Sequence, residues 1–88
     1  MQKILTKEQE PIFANTVAQQ IISIYNESKD KRGAVTRDIP LTLKLAYQTT
    51  GERERLVAMT LTIAYESTKN EVFEQIKRDS IRSIFIGD

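Results

Sequence analysis

The chain has 88 residues and a formal net charge of +1, from thirteen basic and twelve acidic side chains. That balance excludes both an acidic phosphate mimic and a polycation that coats nucleic acid. With no His and no Cys, mechanisms that need an imidazole or a thiolate are absent: Ser–His and Cys–His nucleophiles, zinc–thiolate sites and disulfides.

Residues 1–88 read as one small domain. A chain of this size hides only roughly 60% of the surface its unfolded form exposes, so pairing of subunits would add to a thin stability. Ile, Leu, Val and Phe supply 24 residues, enough for a hydrophobic core. Neither a secretory leader nor an apolar run near 20 residues is visible, and the expectation is a soluble cytoplasmic protein without a membrane role.

Residues 1–9 read as a frayed start. Over 10–32, Phe13, Val17, Ile21, Ile24 and Tyr25 fall within about 120° on a helical wheel, which predicts an amphipathic helix opening near Pro11. The basic run Lys29, Lys31 and Arg32 followed by Gly33 reads as its C-terminal cap. From 35 to 48 the period changes: Ile39, Leu41, Leu43, Leu45 and Tyr47 alternate with Pro40, Thr42, Lys44, Ala46 and Gln48. This alternation predicts a strand with Pro40 at an edge or bulge. Over 55–66, Val57, Met59, Leu61, Ile63 and Tyr65 alternate in the same way. Thr49 to Arg53, with Gly51, then forms the turn of a hairpin. Thr68 and Glu71 fit a capping box that opens a second helix over 68–85.

The fold class that follows is α+β, in the order helix, antiparallel β-hairpin, helix. The alternative is an all-α four-helix bundle with helices at 36–50 and 52–67. In the α+β reading both helices cover the oily face of the hairpin. The other face presents Thr42, Lys44, Thr60 and Thr62 among alanines, a flat and nearly uncharged surface. Together with the open strand edges it predicts self-association through the sheet. Ile84 and Phe85, in an apolar C-terminal stretch, join the candidate contact surface.

The element order resembles that of double-stranded-RNA-binding domains and some nucleoid-associated dimers. Such RNA-binding domains carry a third strand and a basic cluster opening the last helix, whereas Ser67-Thr68-Lys69-Asn70 offers one lysine. No family is assigned on order alone.

Chemistry-bearing constellations are sparse. Glu52 and Glu54 beside Arg53 and Arg55 read as a solvated turn, because a catalytic carboxyl needs burial to raise its pKa. No spacing suggests a metal site, and three glycines cannot build a phosphate loop. No catalytic residue, metal or cofactor is expected. Lys29, Lys31, Arg32, Arg37, Arg53 and Arg55 are the candidate phosphate contacts of a nucleic-acid-binding alternative. The principal expectation is a non-enzymatic regulatory protein, a homo-oligomer that works by binding another protein.

Overall fold

The structure, a computed structural model, describes residues 5–80. Its elements are helices. α1 runs Gln9–Glu27. α2 is one helical rod in three consecutive parts, Lys31–Gly33, a π-helical turn Ala34–Asp38, and Ile39–Tyr47. α3 spans Arg53–Thr68 and α4 Val72–Ser80. No strand or sheet forms among the described residues, so the α+β reading is wrong and the four-helix alternative is the one that fits.

The ends of the helices explain where the sequence reading slipped. The Thr6 amide donates to Gln9 Oε1 at 3.0 Å and the Gln9 amide to Thr6 Oγ1 at 3.2 Å. This reciprocal capping orders the chain ahead of Pro11. α1 stops at Glu27, with Ser28 extended, rather than at residue 32. Gly33 is not a left-handed cap but the third residue of α2, at φ −63°. Its amide is received by the side chain of Asp30, the N-cap, at 2.9 Å. Thr68 ends α3 instead of opening the last helix, Lys69 takes the left-handed conformation at φ 55°, and Asn70 Oδ1 caps α4 by accepting the Val72 amide at 3.0 Å. Only the part of the predicted 68–85 helix up to Ser80 lies within the described residues.

Pro40 is accommodated in α2 by a wide turn rather than by a strand edge. Proline in a helix removes an amide donor and crowds the carbonyl four residues back, here that of Thr36. The preceding turn loosens to π geometry, in which the Ile39 amide bonds the Ala34 carbonyl five residues back.

α3 is the central element, packed most extensively by α1 and α4 and less so by α2. Its Leu56, Val57, Thr60, Leu61 and Ala64 are buried, as are Ala14, Val17, Ala18 and Ile21 of α1, Ile39, Leu43 and Tyr47 of α2, and Phe73 and Ile76 of α4. Edge-to-face ring contacts tie the helices at two places, Phe13 to Tyr47 at 5.6 Å between centroids and Tyr25 to Phe73 at 6.0 Å.

One polar chain crosses this core. Thr60 Oγ1 donates to the Leu56 carbonyl at 2.7 Å, so its lone pair receives the Tyr47 hydroxyl at 2.5 Å. Burial pushes the Tyr47 phenol above its ordinary pKa, opposed by the bond to Thr60, and the ring stays neutral. Thr60 is therefore an interior residue rather than part of an outer sheet face, and a charge placed there would unfold the chain instead of separating subunits.

Thr60→Val leaves the Tyr47 hydroxyl buried and unpaired, and its expected cost, about 1–3 kcal/mol, exceeds the ~1 kcal/mol of Tyr47→Phe. The two combined should cost less than their sum in urea titrations, because each removes the same bond. Lys69→Gly should raise the denaturation midpoint, by about 0.5–1 kcal/mol in stability, since glycine occupies the left-handed region without the steric penalty.

Candidate functional site

α1 carries no charged residue from Pro11 to Asn26, in a chain of which 28% is charged. Burial explains the lack on the inner side only. At 100° per residue, Ile12, Thr16, Gln19 and Ser23 form a row opposite the buried Ala14, Val17, Ala18 and Ile21. All four are exposed, as are the flanking Asn15 and Gln20. Ile12 stands 70% exposed.

α2 offers a second unusual feature beside this row. Leu41 and Leu45, one helical turn apart, are 52% and 66% exposed. They face away from the core stripe Ile39, Leu43 and Tyr47, while Thr42 turns toward α1. An open groove runs between the helices, lined by Asn15, Thr16, Gln19, Gln20, Ser23 and Ile24 of α1 and by Thr42 of α2. The Phe13–Tyr47 contact sets the first turn of α1 beside the last turn of α2, so Ile12 and Leu45 lie at the same end. The groove's lining joins amides and hydroxyls to the apolar Ile24 and carries no charged side chain, and Ile12, Leu41 and Leu45 are exposed on the same two helices outside that lining.

The predicted contact residues are dispersed. Thr42 is half-buried and donates to the Asp38 carbonyl at 2.8 Å. Lys44, on the same helix, is also half-buried. Thr62 on α3 accepts from Lys77 Nζ at 3.0 Å, which locks α4 to α3. Of the proposed flat face only Thr42 reaches the groove, and the face itself does not exist. Ile84 and Phe85 lie outside the described residues.

The predicted phosphate contacts fall into two groups, Lys29 to Arg37 before and within the first half of α2, and Arg53 with Arg55 in the first turn of α3. In the first group, Lys29 and Arg32 are exposed. Lys31 Nζ donates to the carbonyls of Tyr25 and Asn26 at the end of α1 and sits 4.8 Å from the Tyr25 ring centre. It closes the helix whose dipole it complements. Arg37 pairs with Asp38 at 2.9 Å, a bond that raises its pKa. In the second group Arg53 is half-buried.

Arg55 holds Glu10 of α1 with both terminal nitrogens, at 3.0 and 2.6 Å, and donates its Nε to Glu52. This two-pronged clamp joins the first turns of α1 and α3 and occupies the guanidinium that a phosphate would need. Its hydrogen bonds hold the Glu10 carboxyl below the usual range and keep Arg55 protonated.

Among the described residues no group of three or more His, Cys, Asp or Glu side chains gathers as a metal site. None of the described helices is long and apolar enough to cross a membrane. Comparison of the chain with protein-family models, with curated proteins and with solved structures returns no match.

Sequence reasoning missed Ile12, Asn15, Thr16, Gln19, Gln20, Ser23, Leu41 and Leu45 as surface of interest. The signal was present in the sixteen uncharged residues of a helix that must turn one side to water.

Because its folded-state pKa is depressed, Glu10 contributes stability fully present above the ordinary glutamate value of about 4.3 and lost as pH falls through the lower folded value. Denaturant midpoints at pH 7 and pH 3 should therefore draw closer together in Glu10→Gln than in the unsubstituted chain. An unchanged difference would remove the clamp from the acid response.

Proposed function

We propose that this chain is a small non-enzymatic binding protein that acts through protein–protein contact, and that its contact surface is the uncharged outer row of α1 with Leu41 and Leu45 of α2. The observation that carries this reading is the coincidence of the two features on neighbouring helices. A solvent-facing helix is ordinarily charged on its outer side, and the two leucines expose apolar surface to water at a cost of hydration. Apolar residues beside neutral hydrogen-bonding groups are the composition of an interface core, from which charge is depleted, and Arg37, Asp38 and Lys44, the charged neighbours of Leu41 on α2, would stand at its rim.

Chemistry within the chain supports the same reading. No imidazole or thiolate is available for nucleophilic or acid–base work. Phosphate recognition is supported less: Arg55, Lys31 and Arg37 are already engaged, and the basic residues form no continuous stripe.

Photo-crosslinking in cells tests this directly, with a benzophenone side chain placed at Gln19 and, as a control, at the exposed Glu71. Protein adducts should form from position 19 and not from position 71. Adducts that vanish with nuclease, or protein adducts equally abundant from both positions, would refute the assignment.

A further inference from the structure

The chemistry of the α1–α2 face narrows what can sit on it. Each polar side chain of the outer row, Asn15, Thr16, Gln19, Gln20 and Ser23, carries both a donor and an acceptor, although the Thr16 hydroxyl gives its proton to the Ile12 carbonyl at 3.1 Å and offers only its lone pairs outward. A face of this kind satisfies its own copy: amide meets amide, and the Thr16 oxygen accepts from the amide of a facing Gln19. Charged faces do not share that property, because a two-fold axis sets each charge near an identical one. The central row, Ile12 to Ser23, gives a charge-free contact about 17 Å long at 1.5 Å per residue. Ile12, Leu41 and Leu45 provide apolar surface on both sides of such a pairing. They are also the large hydrophobic residues that the chain leaves exposed among its described residues.

Resting on the contact surface proposed above, we infer that its occupant is a second copy of this chain. The two α1 helices cross antiparallel about a two-fold axis near Thr16 and Gln19, and the leucines of α2 close the contact on either side. The pairing is isologous, so a residue near the axis meets its own counterpart.

That symmetry supplies the test. Two variants are prepared separately, Thr16→Lys with Gln19→Lys, and Thr16→Glu with Gln19→Glu. All four substitutions introduce good helix formers at exposed sites, and circular dichroism verifies that helicity is kept. Sedimentation velocity of the unsubstituted chain over a concentration series should show a monomer–dimer equilibrium. Each variant alone should dimerise at least about tenfold more weakly, and an equimolar mixture should return to within a few-fold of the unsubstituted affinity.

An unsubstituted chain that stays monomeric to about 1 mM, the weak end of specific association, would overturn the inference. So would dimerisation indifferent to the substitutions, or a mixture no stronger than its components. The two readings fail separately. Crosslinks from Gln19 to a different protein, with a monomeric purified chain, would sink self-pairing and leave the contact surface standing. Absence of protein crosslinks would remove the surface itself.

Discussion

Burial of α3 is the constraint on which the rest of this structure depends. An 88-residue chain without disulfides has little interior to share, and this one collects its core by letting a single helix serve as the wall that the others share. α3 meets that demand with an uncharged stretch from Leu56 to Tyr65 and takes α1 on one side and α4 on another. In the interior it creates, the buried hydroxyls of Tyr47 and Thr60 bond each other and a helix carbonyl. Among the described residues no buried side-chain nitrogen or oxygen is left without a partner.

With the core satisfied in this way, the outer sides of α1 and α2 stand out. Elsewhere the surface follows ordinary rules: Lys69 pairs with Glu66 across one turn, Arg55 bridges two helices, and Lys31 closes a helix end. On the outer row of α1 those rules lapse, and from Ile12 to Ser23 uncharged side chains replace charges for about three turns of helix. That composition is the observation on which the proposed contact surface rests.

How much of this was legible in the sequence depends on the segment. The first helix could be read from its single apolar stripe, though not its end, and a break at Gly51 could be read, though as the turn of a hairpin and not as the link between two helices. The middle could not, and the reason is specific. In Ile39, Leu41, Leu43, Leu45 and Tyr47 two rows of i, i+4 spacing are interleaved. Ile39, Leu43 and Tyr47 are buried, and Leu41 and Leu45 are exposed. Offset by two residues, the rows add up to the alternation of a strand. In α3 the alternation arises differently, since a helix packed on several sides has apolar residues nearly all round. Misreading the period and overlooking the exposure of Leu41 and Leu45 were therefore one error: an apolar residue was assumed to face the core. The caps failed for a smaller reason. Asp30 and Asn70 each outcompeted a plausible neighbour, and only the backbone path shows which side chain reaches a free amide.

The wide turn before Pro40 carries a consequence for the whole rod. By absorbing one more residue than a regular turn would, Ala34–Asp38 lets Lys31–Gly33 and Ile39–Tyr47 continue as one rod. Excising that extra amino acid would close the turn to regular geometry and drive the proline ring against the carbonyl four residues back. The slack loop of backbone thus behaves as an expansion joint, which lets the rod run on past a residue that would otherwise bend or break it.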